Sequence, residues 1–275
     1  AQLASLMGNL SLLSYFVNKK ERGASIVQAV GVLTTLIVLF QLAIAEAMPL
    51  LIFAATATVC LVGFTVNALN YTTLISDGAW KVWTEILGVG GMYVLTQVVW
   101  MTFVPYLPRS KLPGIIAAAV LLVLIELANR GHLPTALSNI LGGISGWIAT
   151  LLFMWSPVSQ LYTNIRNPAN LHGLSVFTIL LALIGNGMLI PRALFIRDLM
   201  WFTGSSWGSV VQGWTILLSM YLGKAAHSFL FWGVTSGFVL WLGVISYNDM
   251  HAYSLTSPLA PFIEIFKAKR KYEIS

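Results

Sequence analysis

The stretch ASIVQAVGVLTTLIVLFQLAIAE (24–46), followed two residues later by PLLIFAATATVCLVGFTVNAL (49–69), decides the fold class. Each segment is near the length of about 20 mostly apolar residues that a bilayer-spanning helix needs. Neither alternates polar and apolar residues as a barrel strand does. Backbone groups in lipid are satisfied within a helix or a closed barrel and nowhere else, so helices are expected. Further apolar runs lie at 2–17, 86–104, 113–128, 136–165, 174–196, 206–222 and 226–247. The fold class expected is an all-α polytopic membrane protein with about nine transmembrane helices, 2–17 being short and 113–128 just long enough.

Composition agrees. Of 275 residues, 57% are hydrophobic and 9% charged, against roughly a quarter charged in soluble domains, which excludes a water-soluble enzyme. Ten Trp and nine Tyr suit two membrane interfaces. Cys60 is the only cysteine, so no intrachain disulfide forms. His132, His172, His227 and His251 fall in loops or at span ends without metal-pair spacing. There is no Ser/His/Asp set, P-loop or Gly-x-Gly-x-x-Gly, so neither a cofactor, a metal nor an enzymatic reaction is expected. The chain opens directly in apolar sequence, which gives the expectation that the natural protein begins further upstream.

Alternating the nine runs assigns Lys19, Lys20, Arg22, Lys81, Arg130, Arg192, Arg197, Lys267, Lys269, Arg270 and Lys271 to one side of the membrane. Arg109, Lys111, Arg166 and Lys224 fall on the other. The positive-inside rule places the first group on the cytosol-like face. The basic tail 267–272 is then a juxtamembrane signal in touch with anionic lipid, and no nucleic-acid partner is expected.

An internal repeat is visible. LMGNLSLLSYFVNKK (6–20) and LIGNGMLIPRALFIR (183–197) both open with Leu-x-Gly-Asn and end in basic residues, and SIVQ (25–28) recurs as SVVQ (209–212). The two Gly-Asn helices, first and seventh in order, run in the same direction. Parallel repeats related by an axis along the membrane normal are a transporter plan that holds substrate near mid-membrane.

The stretch WSPVSQLYTNIRNPANLHGLS (155–175) resembles a PQ-loop motif, and the residues after it resemble the second three-helix bundle of SWEET sugar transporters. MGNLSLLSYF (7–16), AEAMP (45–49), SGWIATLLFMWSPVSQ (145–160) and GNGMLIPRALFIRDLMWFTGS (185–205) are similar to the maltose excess family of the chloroplast inner envelope. The resemblance implies SWEET/PQ-loop-like parallel three-helix bundles. They are divided as an N-terminal bundle at 1–69 lacking its first helix, linker helices at 70–134, a second bundle at 135–222, an additional helix at 223–248 and a basic tail at 249–275. It also implies an upstream transit peptide and facilitated export of maltose, a starch-breakdown product, from stroma to cytosol.

A disaccharide needs uncharged donors and acceptors together with aromatic platforms in a mostly apolar cavity. Amides supply both kinds of hydrogen-bonding atom without a buried charge. Asn9 and Asn186 occupy matching repeat positions, as do Gln28 and Gln212 by the tetrapeptide match. Bonding between helices is the alternative role for all four. Trp147 and Trp155 lie about 80° apart on one helix by its turn geometry and are candidate cavity walls or interfacial residues. Gln160 belongs to the PQ-like motif. Trp207 and Ser205 stand where SWEET-like proteins place a pocket residue. Pro157 and Pro191 interrupt their helices' hydrogen bonding and are candidate hinges, or static kinks.

Ion coupling depends on charge at mid-membrane. Glu85, Glu126 and Asp198 lie near span ends, and Arg192, Arg197 and Asp198 are expected to form a solvated cluster. Glu46, in apolar AEAMP, is the exception. Two other readings stay open: a proton-coupled PQ-loop carrier of another small solute, and a non-transporting receptor or assembly subunit.

Overall fold

A computed structural model describes residues 2–103, 106–167, 171 and 174–267, without the side chains of 139, 156, 159, 160 and 163. His172, parts of the PQ-like stretch, the Gln160 side chain and the tail from 268 onward lie outside the described residues. The described residues form helices and no strands. They divide into two compact units, Ala1–Phe153 and Met154–Ser275.

The first unit holds α1 (Gln2–Asn18), α2 (Arg22–Ile44), α3 (Leu50–Tyr71), α4 (Asp77–Thr102), α5 (Leu112–Asn129), α6 (Thr135–Gly142) and the start of α7 (Ile144–Arg166). The second holds the rest of α7 and α8 (Val176–Phe195), then α9 (Leu199–Trp207), a π-helical segment (Gly208–Thr215) and α10 (Ile216–Leu222) in continuous succession. It closes with α11 (Ser228–Ala252) and α12 (Ala260–Glu264). Every expected apolar run corresponds to helix, but six helices are long and apolar enough to cross a membrane: α2, α3, α4, α5, α8 and α11. A seventh span results if α6 and the apolar part of α7, bent by 60°, count as one. The count of nine is not confirmed: α1 has 17 residues, and the continuous run from α9 through α10 is divided by the π-helical segment.

Helix burial follows the sequence. Leu6, Leu10, Leu13 and Val17 of α1, spaced by three or four residues, pack with Val32, Leu39, Cys60, Trp83 and Leu87 in the first core, the pattern of one helix face. Trp83 donates its indole N–H to the Ser14 hydroxyl at 3.0 Å, which in turn donates to the Leu10 carbonyl at 3.2 Å. In the second unit Ile190 and Leu194 of α8 pack with Ile245 and Ile265. Large apolar side chains meanwhile face outward, among them Leu51, Leu122 and Phe229. Exposed apolar surface of this extent agrees with helices long and apolar enough to cross a membrane.

The turns repeat. Among the described residues, six non-glycine residues have positive φ, and they fall into three pairs: Lys20 with Arg197, Glu46 with Lys224, and Thr73 with Ser254. After α1 and α8, Lys20 and Arg197 donate their N–H to the carbonyls of Val17 and Leu194, both at 3.0 Å. Glu21 and Asp198 then donate to Phe16 and Ala193, again both at 3.0 Å. Ala47 and Met48 donate to Leu42 after α2, as Ala225 and Ala226 donate to Met220 after α10. Leu74 bonds to Leu69 at 2.8 Å after α3, and Leu255 to Met250 at 2.9 Å after α11. These are left-handed helix-terminating turns. Here they occur in the same order in both units, at residues that bear side chains.

Candidate functional site

The two Gly-Asn helices carry the clearest local correspondence. Asn9 of α1 lies against Gly31 of α2, so closely that a Cβ on Gly31 would sit 2.8 Å from the Asn9 Oδ1. Asn186 of α8 lies against Gly208, where a Cβ would sit 2.6 Å from the Asn186 Oδ1. In each case the glycine follows its asparagine by 22 positions. Only glycine leaves room for an amide at that distance. Both amides are half-buried, and the Asn186 Nδ2 donates to the Ala182 carbonyl at 2.8 Å.

The glutamines do not correspond in this way. Gln28 lies about one turn before Gly31, whereas Gln212 lies about one turn after Gly208. Counting from the glycines, the counterpart of Gln28 is Ser205. The SIVQ and SVVQ match thus falls on different places in the two helices. The helical run from α9 through α10 is one residue longer than α2 with its 23 residues. A π turn accommodates one extra residue within a continuous helix, and the π segment begins at the glycine that receives Asn186.

Other expected site residues have local structural duties. The Trp207 indole N–H donates to the Met154 carbonyl at 2.9 Å. Pro157 lies inside α7 and has no N–H, which removes the usual intrahelical donor to the Phe153 carbonyl. Trp207 therefore braces α7 one residue along from that gap. Ser205 is buried, and its carbonyl accepts the Ser209 hydroxyl at 2.9 Å. Trp147 and Trp155 are half-buried on α7, and Pro191 is within α8 with four helical residues after it.

The expected solvated charge cluster takes a different form. The Arg197 guanidinium pairs with the Asp249 carboxylate at 2.8 Å, with side chains 6% and 5% exposed, and lies over the Tyr253 ring at 4.3 Å. The Tyr253 hydroxyl donates to the Phe195 carbonyl. Burial pushes the Tyr253 phenol above its usual pKa, with Arg197 opposing the rise. Asp198 is also buried, and its carboxylate caps α9 by accepting the Trp201 N–H at 3.1 Å. In the first unit Lys20 stands in the place of Arg197. Its Nζ donates at 2.9 Å to the carbonyls of Asn70 and Tyr71, without a carboxylate in that role.

A cavity of about 620 Å³ with mixed polar and apolar lining is a feature the sequence reading missed. It lies in the first unit, among the ends of α1 and α5, the beginning of α4 and the bend between α6 and α7. Trp80, Thr84 and Glu85 of α4 line it with Tyr15, Asn18 and Asn129. The signal is present in AWKVWTE (79–85), but this segment precedes the apolar run at 86–104 that marks the span. Ser76 caps α4 by accepting the Ala79 N–H, so the helix starts nine residues before that run.

The N-terminal domain of maltose excess protein 1 matches residues 1–76, which hold α1, α2 and α3. A rice (Oryza sativa subsp. japonica) protein, "Maltose excess protein 1-like, chloroplastic", is 49% identical over 267 residues, covering 97% of this chain and 67% of its own. The chain belongs to the maltose excess protein 1 family. A second family member, "Maltose excess protein 1, chloroplastic" of Arabidopsis thaliana, is 46% identical over 263 residues, covering 96% of this chain and 63% of its own. The chain thus spans about two thirds of the length of these maltose excess relatives. No solved structure matches it. In this maltose excess chain no group of three or more His, Cys, Asp and Glu suited to a metal occurs among the described residues.

Proposed function

We propose that the chain is a facilitative carrier of maltose. It exports the sugar from stroma to cytosol across the chloroplast inner envelope by alternating access, without catalysis or ion coupling. The names of its relatives supply the sugar and the organelle. The observation that carries the transport reading is the pair of Asn–Gly contacts at equal spacing in two helical runs that share three turns. We assign those runs, α1–α3 and α8–α11, to parallel three-helix repeats of the SWEET/PQ-loop kind. The second repeat then covers 176–252 in place of the expected 135–222. Asn9 and Asn186 are the amides we assign to sugar hydroxyls, with Trp147 and Trp155 as ring platforms and Pro157 and Pro191 as bending points. Gln28, Gln212 and Gln160 have weaker support.

Against proton coupling stands Glu46, which is exposed in the turn between α2 and α3, away from the middle of a span. Labelled maltose should enter liposomes containing the purified chain at the same rate with and without an imposed pH gradient. Strict dependence on the gradient would overturn the uncoupled mechanism. Asn186→Ala should lower entry by about tenfold, the equivalent of a lost hydrogen bond to substrate, at unchanged protein yield. Gly208→Ala, which displaces the same amide, should follow it. Unaltered entry in both would make Asn186 a packing residue.

A further inference from the structure

We infer that the cavity of the first unit is a binding site for a neutral, ring-form sugar. The inference goes beyond the carrier reading, whose residues Asn9 and Asn186 do not line this cavity, and rests on it for the identity of the sugar. At about 620 Å³ the cavity falls within the usual range for small-molecule sites, roughly 300–1,000 Å³. Its residues combine the two chemistries a sugar uses. Trp80 is a half-buried ring with a face suited to apolar C–H surfaces, and Tyr15, whose ring lies under the Lys19 ammonium at 4.7 Å, lines the cavity with it. The amides of Asn18 and Asn129 and the hydroxyl of Thr84 offer hydrogen bonds.

Local bonds preset part of this array. The Asn129 Nδ2 donates to the Glu85 Oε1 at 3.2 Å, joining α5 to α4 and orienting that carboxylate. A carboxylate has several acceptor positions, so Glu85 retains capacity for a sugar hydroxyl. Thr84 donates to the Lys81 carbonyl at 2.8 Å, which fixes the hydroxyl and leaves its oxygen as an acceptor.

Charge decides between a sugar and a sugar phosphate. Among the described lining residues Lys81 is the one cation and Glu85 the one anion, so the lining itself carries no net charge with which to hold an anion. Recurrent phosphate sites instead use Arg or Lys clusters or a helix N-terminus with free N–H groups. The N-terminus of α4 is capped by Ser76.

The test is equilibrium binding of labelled maltose to the whole purified chain in detergent, alongside liposome entry. Trp80→Leu should weaken binding at least tenfold, and Thr84→Val and Asn129→Ala about threefold to tenfold each. Glucose 1-phosphate should compete poorly. Trp80 also packs on the first core, so the valine and alanine changes, which remove single polar groups at the cavity, keep the test valid if Trp80→Leu fails to fold. Wild-type entry with unchanged binding in Thr84→Val and Asn129→Ala would overturn the cavity proposal and leave the carrier standing. Sugar binding lost in these variants, with no wild-type entry, would overturn the carrier and support the cavity as a sugar site. Tighter binding of the phosphate than of maltose would overturn the assignment to a neutral ligand.

Discussion

Gly213→Ala should destabilise the second unit severely, by about 3 kcal/mol or more. A Cβ at this position would stand 2.5 Å from the Leu183 Cβ and 2.7 Å from its Cα. Rotating the Leu183 side chain moves neither atom, so the π segment and α8 have to separate. Overpacking commonly costs about 1–3 kcal/mol when side chains alone absorb it, and a backbone clash belongs above that range. The melting temperature of the purified protein in detergent should fall by roughly 10 °C, on the usual relation between free energy and midpoint for domains of this size. Gly237→Ala on α11 is the control, since no atom lies within 4 Å of its added Cβ. It should hold or slightly raise the midpoint through better helix propensity. Equal midpoints for Gly213→Ala and wild type would contradict the close approach of these helices.

Asp249→Asn should be the second large loss. It keeps the side chain's shape while removing the partner of a guanidinium that is itself 6% exposed. Removing one member of a buried pair typically costs about 3–5 kcal/mol, because the other charge stays buried without compensation. Arg197 retains its bond to the Leu194 carbonyl and its stacking on Tyr253, so the lower half of that range is expected. Joint replacement, Arg197→Met with Asp249→Leu, should recover most of the loss, as it often does for buried pairs. Lys20→Ala should shift the melting midpoint little, since that ammonium is exposed. If Asp249→Asn costs no more than Lys20→Ala, the second unit does not depend on its ion pair.

Much of the architecture was legible because lipid simplifies the problem. Continuous apolar runs marked the longer helices, whereas α9 lies almost wholly between two runs and α12 outside all of them. The start of α4 was hidden because Lys81, Thr84 and Glu85, which line the cavity, interrupt the hydropathy signal that locates spans. The left-handed turns were hidden for a related reason. They sit on Lys20, Glu46, Thr73, Arg197, Lys224 and Ser254, whereas the usual signal is glycine or asparagine.

The repeated Gly-Asn motif pointed to Asn9 and Asn186, and each lies against a glycine 22 positions further on. It gave no hint of Gly31 and Gly208, because a contact between helices leaves no short motif. The glutamine match does not fix register, because similarity over four residues says nothing about it and a π turn alters the count in one helix alone. The pairing of Arg197 with Asp249 spans 52 positions. From the sequence, Arg192, Arg197 and Asp198 read as one local group.

Counterflow tests the carrier most directly. Liposomes containing the purified chain are loaded with millimolar unlabelled maltose and diluted into trace labelled maltose with no ion gradient. The account predicts transient accumulation of label above the external concentration, which decays as the internal sugar leaves. This overshoot arises only when one site is presented to the two sides in turn. Label that merely rises to equilibrium, or does not enter, would contradict alternating access to maltose.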